Sequence, residues 1–307
     1  METQKNANNK TAQKDVHTIA NDKIIEYLKK GIVPWRKNWT TAGVPTSLIS
    51  RNPFRGINVM LLGVLGYERN LFLTEKQLKH IDGAVKAGER PNLAVYWNRP
   101  KDDGEATEPG GDRKESKLRY YHVYNISQCV GISWEMAESA ELHPTEACAE
   151  ILDRMPHKPV IKYKEATAYY DPIDDILNMP KKTSFRTEAD FFIALVHQIV
   201  HSTGHHTRLD RMGLVQMPEF GCEPFTLEEL VAEIATNYLL SYVGIQTDFV
   251  PAPEYLEGWI EKFSADKYLI FTAATLAQKA VDFIFDINDA EDAEQVQEEV
   301  IGETMVP

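Results

Sequence analysis

The stretch FFIALVHQIVHSTGHHTRLDR, residues 191–211, holds four of the chain's nine histidines. Just before it, Thr187 and Asp190 are spaced as a capping box, which predicts a helix over residues 187–202. That segment is apolar on nearly every side, so the helix is expected at the centre of a domain. His197 and His201, four positions apart, leave one face about one turn from each other. Two polar rings on a buried helix need partners. Two core histidines with hydrogen-bond partners satisfy that need, and so does one Zn²⁺ held by both imidazoles at about 2.0–2.1 Å.

A third ligand can be sought in two patterns. In H-x-x-x-H-x-x-G-x-x-H the glycine falls on Gly204, but the last histidine slot falls on Thr207, and His205 and His206 miss it. The other pattern takes a carboxylate from a later helix, where TLEELVAEI offers Glu229 and Glu233 four apart on one face. Glu229 as ligand would leave Glu233 to accept a hydrogen bond from a ligating histidine. The reverse assignment stays open, and so does neither, because Thr226 and Glu229 also have capping-box spacing. Glu228 points off that face and is expected in solvent. Gln198 stands where H-E-x-x-H sites carry a general base. An amide cannot take a proton, and loss of a general base costs about 10²–10⁴ in rate.

Apolar residues make up 43% and charged residues 26% of 307, the balance of a soluble globular protein with room for two domains. No apolar run approaches the roughly 18 residues of a membrane span and no signal peptide opens the chain, so no membrane partner is expected. Cys129, Cys148 and Cys222 are odd in number and scattered, which fits a reduced cytoplasm. The net charge of −13 is divided unevenly: residues 1–130 hold 21 Lys and Arg against 14 Asp and Glu, and residues 131–307 hold 12 against 32. A basic first module could bind a polyanion that the acidic second one repels.

In that first module GIVPWRKNW and LISRNPFRGIN interleave Trp35, Trp39 and Phe54 with Arg36, Lys37, Arg51 and Arg55. Rings for unstacked bases and cations for phosphates are what single-stranded nucleic acid requires. The plainer alternative puts Trp35 and Trp39 in a small core.

The fold expected is α+β in two domains: a small sheet with helices, then a helix-rich domain with a short sheet, one edge strand of which lies over the metal cleft. Residues 1–14 read as a disordered tail, and 15–130 as the first domain, opening with a helix from Val16 that stops at Gly31. LAVYW and YYHVYNI are strand-like and flank a mobile loop at about 101–117. Residues 131–158 mix short helical pieces with Pro144 and Pro156, just ahead of Pro159, and read as a connection. The second domain spans 159–288, with VIKYKEATAYY as a strand and helices at about 226–243 and 254–285, and an acidic disordered tail covers 289–307.

Taken together, the two halves resemble the ArdC-type antirestriction proteins of plasmids and other mobile elements. The likeness covers most of residues 15–285. It is carried first by VPWRKNW, SRNPFRGINVMLL, LTEKQL and YHVYNISQ, then by AYYDPIDDILNMP, HQIVHSTGHHTRLDR, EELVAEI and EYLEGWI. The resemblance implies a single-stranded-DNA-binding domain, with contacts from Trp35 to Arg55, followed by a zincin-like metallopeptidase domain. It further implies Zn²⁺ on His197 and His201 with Glu229 as third ligand, His205 as a further group near the metal, and protection of incoming DNA from restriction. The family pattern has glutamate at Gln198, so this chain's peptidase is expected to be weakened or inactive. The alternatives are an active peptidase that cleaves a protein substrate with Glu233 or His205 as base, or a scaffold held together by zinc.

Overall fold

The structure is a computed structural model that describes residues 15–36, 43–98, 117–132, 143–211, 226–245 and 250–287. Both expected tails, nearly all of the expected loop, Lys37, Trp39 and Cys222 lie outside these residues.

Helix α1 (Val16–Lys29) begins at Asp15, whose carboxylate accepts from the Thr18 amide at 3.2 Å, and the chain leaves it through Gly31 at φ 76°. Next come β1 (Thr46–Ser47), α2 (Ile57–Gly63), β2 (Leu71–Leu73), α3 (Glu75–His80), β3 (Ala84–Val85), β4 (Asn92–Asn98), β5 (Lys117–Asn125) and β6 (Cys129–Val130). The sheet order is β1-β2-β5-β4, with β5 antiparallel to β4 over the whole of β4, from Asn92 opposite Val123 to Asn98 opposite Lys117. This is the hairpin that the two aromatic-rich runs predict. Its strands alternate: Ala94 and Val123 join Leu62 and Phe72 in a small core on one face, while Leu93, Val95 and Leu118 meet the main core on the other.

The second half comprises α4 (Pro144–Arg154), β7 (Val160–Lys162), β8 (Tyr169–Asp171), β9 (Ile176–Asn178), α5 (Glu188–Thr203), α6 (Leu227–Val243), α7 (Pro253–Ala265) and α8 (Leu269–Phe285). Two expectations need correction. The segment read as a connection holds a helical piece as expected, α4, but this helix is part of the core, with Cys148 and Leu152 buried together with α5, α6 and α8. VIKYKEATAYY is two strands, because Asn178 folds the chain between them. Its side-chain oxygen accepts from the amides of Lys164 and Glu165, both at 3.2 Å, and its amide donates to the Thr167 carbonyl at 2.7 Å. β7 therefore runs parallel to β9 on one side and β8 antiparallel to it on the other.

The fold is α+β in two domains, yet one continuous core crosses between them. α1 and α2 pack on α7 and α8, and Trp35 is fully buried (0% exposed) against Trp259 and Phe263, with ring centroids 5.9 and 5.7 Å away. Polar groups bolt the same seam. Trp35 Nε1 donates to Glu233 Oε2 at 2.9 Å, and Arg36 and Tyr255 donate to the same buried carboxylate. Arg55 pairs with Asp282, the Gly56 amide donates to Gln278 at 3.0 Å, and Tyr238 Oη donates to the Gly56 carbonyl at 2.6 Å. Among the described residues no single helix is long and apolar enough to cross a membrane, and Cys129 and Cys148 are free and buried.

Replacing Arg36 with alanine would leave the Glu233 charge buried and undercompensated. A loss of about 2–4 kcal/mol in urea unfolding is expected, below the full cost for a wholly buried pair because Arg36 is partly exposed. A loss under about 0.5 kcal/mol would show that Trp35 and Tyr255 satisfy the carboxylate alone.

Candidate metal centre

Helix α5 carries the two histidines and α6, packed across it, carries the acids. His197 Nε2 and His201 Nε2 are 3.1 Å apart. Glu229 Oε1 lies 3.4 Å from the first and Oε2 lies 3.5 Å from the second. Ligands on a tetrahedral ion at about 2.0–2.1 Å stand about 3.3–3.4 Å from one another. The three side chains thus stand at separations close to these, with one Glu229 oxygen turned to each histidine, and two imidazoles with a carboxylate suit a divalent cation. Thr226 Oγ1 accepts from the Glu229 amide at 3.1 Å, but the Glu229 carboxylate faces the histidines rather than completing a capping box.

Glu228 corrects the sequence reading most sharply. Its position in the sequence predicts exposure to solvent, yet it is only 5% exposed and its Oε1 lies 3.3 Å from His201 Nδ1. Arg211 grips it from the other side, with Nη2 donating to Oε1 at 2.6 Å and Nε to Oε2 at 2.9 Å. The remaining donors of Arg211 reach Thr203 Oγ1 at 2.7 Å and the Val200 carbonyl at 2.9 Å. Glu228, rather than Glu233, therefore fixes the ring of His201. The reason lies in the imidazole, whose two nitrogens sit on different edges. A ligand beside one nitrogen and an orienting group beside the other come from adjacent positions of the facing helix, not from positions one turn apart. Glu233 is spent on Trp35, Arg36 and Tyr255.

Charge obeys this geometry. Burial pulls the His201 imidazole down, but Glu228 and Glu229 outweigh it and hold the ring at about 9. A cation entering the triangle therefore competes with a proton. Burial alone would raise both carboxyls. Arg211 and His201 hold Glu228 below the usual carboxylate range, and His197 and His201 hold Glu229 well below it.

The other site expectations divide. Gln198 is half-buried on α5 between the two histidines. His205 does not join the triangle, because its Nδ1 meets Thr207 Oγ1 at 2.8 Å and accepts from the Thr207 amide at 3.3 Å, capping the turn after α5. That turn is locked to the small sheet by Arg208, which donates twice to Asp175 at 2.8–2.9 Å. The residues expected to touch nucleic acid mostly face inward. Trp35 has no exposed ring face, Arg36 and Arg55 pair with Glu233 and Asp282, and Phe54 packs edge-on against Phe72 at 6.0 Å. Arg51 is exposed, while Lys37 and Trp39 fall outside the described residues. Spacing alone does not single out Glu228 or Arg211, although Arg211 closes the very stretch that carries the histidines.

Comparison with known proteins matches each half of the chain to a different family. Residues 14–126 match the N-terminal domain of anti-restriction factor ArdC, and residues 150–276 match a zincin-like metallopeptidase family. The chain is 29% identical over 323 residues to a DNA primase TraC of Escherichia coli, covering 96% of this chain but 29% of that protein's length. It is 26% identical to the uncharacterized protein y4eC of Sinorhizobium fredii, covering 88% of this chain and 91% of that one. The metal-free crystal structure of the antirestriction protein ArdC from plasmid R388 aligns at a TM-score of 0.71 and 29% identity, over 92% of this chain and 99% of that one. The Mn(II)-bound structure of that protein aligns at 0.71 and 28%, over 89% and 98%. The chain belongs to the ArdC-type antirestriction family, an ArdC N-terminal domain followed by a zincin-like metallopeptidase domain.

Replacing Glu228 with glutamine keeps its shape but removes the charge between Arg211 and His201. Divalent-metal affinity, measured by competition with a chromophoric chelator, is expected to fall about 10–100-fold. Unchanged affinity would show that the triangle holds its cation without this support.

Proposed function

We propose that this chain is an antirestriction protein of a mobile genetic element that acts in the cytoplasm. Its N-terminal domain binds single-stranded DNA, and its C-terminal domain holds Zn²⁺ through His197, His201 and Glu229. The observation that carries the reading is the convergence of those three side chains, 3.1 Å between the two Nε2 atoms and 3.4 and 3.5 Å from each to one Glu229 oxygen, close to ligand separations around zinc. A bound Zn²⁺ supplies Lewis acidity toward a carbonyl and toward water.

The chain's own residues govern how that acidity can be used. Glu228 and Arg211 hold His201 in one orientation, and the edge strand β8, packed on α5, offers backbone groups along which an extended peptide substrate could add. Gln198 can donate or accept a hydrogen bond at the reacting group but cannot carry away its proton. Peptide hydrolysis is therefore slow or absent. DNA as a partner is supported by the ArdC N-terminal domain, by the basic balance of residues 1–130, and by relatives named as DNA primases. Of the residues around Trp35 and Arg55, Lys37, Trp39 and Arg51 remain candidate DNA contacts.

Elemental analysis of the purified chain should give near one zinc, lost in His197→Ala. With zinc bound, Gln198→Glu should hydrolyse protein substrates about 10²–10⁴ faster than the parent chain. Equal rates would overturn the weakened-peptidase reading and favour an active enzyme with another base. Fluorescence anisotropy should show tighter binding of oligo-dT than of a duplex of equal length, with affinity falling steeply as salt rises. Binding that ignores both strandedness and salt would remove single-stranded DNA as the ligand.

A further inference from the structure

With Trp35, Phe54, Arg36 and Arg55 taken up inside the protein, the question becomes which rings stand outside it. Three exposed aromatic side chains gather on one face. Trp97 of β4 is 47% exposed, Tyr120 of β5 is 41% exposed and Tyr268, at the start of α8, is 51% exposed. His17 of α1 joins them, its ring 5.9 Å from Trp97 and 4.8 Å from Tyr268. In the hairpin register Trp97 lies opposite Leu118 and Tyr120 opposite Val95, so both rings project from the same face as diagonal neighbours roughly 7–8 Å apart. His122 continues the line, 5.6 Å from Tyr120. Single exposed rings are ordinary on any protein. Four exposed rings in one line, with the mostly covered His17, 19% exposed and also packed on Phe271, bridging Tyr268 to Trp97, are not.

We propose that the run Tyr268–His17–Trp97–Tyr120–His122 is a stacking platform for the unpaired bases of single-stranded DNA. This assignment rests on the single-stranded-DNA reading above and gives it a location. A cation stands at one end of the run: Lys267 Nζ lies 5.1 Å from the Tyr268 ring, paired with Asp15, whereas Lys117 at the start of β5 alternates onto the opposite face of the hairpin. Rings along the line match the faces of unstacked bases, which stack on aromatic side chains whatever their sequence. A duplex keeps its base faces stacked on one another and offers them nothing to bind. The platform lies mainly on the two runs LAVYW and YYHVYNI, whose aromatic residues served in the sequence only as strand formers. Because Tyr268 belongs to the second domain and the hairpin to the first, bound DNA spans both.

The test uses the full chain and a fluorescent oligo-dT. Trp97→Ala and Tyr120→Ala should each weaken binding by about 5- to 100-fold, the loss of one stacked base, while the slope of affinity against salt stays the same. Trp97→Phe, which keeps a ring, should recover most of the loss. Tyr163→Ala, an exposed tyrosine on the small sheet, should bind as the parent does. Thermal melting confirms that each variant is folded. Parent-like affinity in folded Trp97→Ala and Tyr120→Ala would overturn the platform and leave single-stranded-DNA binding intact. A parent chain that binds no oligo-dT would instead remove the functional reading itself.

Discussion

A single buried carboxylate holds the two halves of this molecule in register. Glu233 takes hydrogen bonds from Trp35, Arg36 and Tyr255, so one side chain of α6 is shared by the N-terminal segment and by α7. A charge this deep persists only where its partners are complete. Those partners come from residues that are hundreds of positions apart in sequence, and the seam cannot loosen without exposing it. One turn earlier on the same helix stands Glu229, the carboxylate of the metal triangle. The seam between domains and the edge of the metal centre are therefore successive turns of one rigid element.

Around the triangle the charges are arranged in pairs. Glu228 and Glu229 both approach His201, one at each ring nitrogen, and Arg211 neutralises the first of them from behind. The second is left for the histidines or for a cation. Each of these groups is half of a compensated set, and removing any one leaves its partner short of a hydrogen bond or a counter-charge.

Much of this is legible from residue types and spacing. The capping box at Thr187, the apolar girth of α5 and the four-residue step between His197 and His201 predict a buried helix with two rings on one side, and the structure has it. Glu229 is legible as a candidate for the same reason. What spacing does not convey is which edge of a ring a neighbour meets, so it consigns Glu228 to solvent and gives Glu233 its place. The tryptophan and arginines of VPWRKNW and NPFRG mislead for a different cause. An aromatic side chain beside a cation suits a nucleic-acid strand and a carboxylate-lined domain seam equally well, and only the fold tells which of the two lies opposite. The strand split at Asn178 is hidden because a single side chain makes the turn, in a stretch of otherwise good strand formers.

The seam also fixes a schedule for the protein's synthesis. Asn21 of α1 donates to the Phe263 carbonyl, a contact across 242 residues of chain. At roughly 5–20 residues per second, a ribosome needs roughly 12–50 seconds to add that length. For the later part of that interval the first domain is already made, but its Trp35 ring has neither Trp259 nor Phe263 to cover it. The nascent half-protein is thus a long-lived species with an open apolar face, a natural client for chaperones. The native molecule closes only when its last helices leave the exit tunnel.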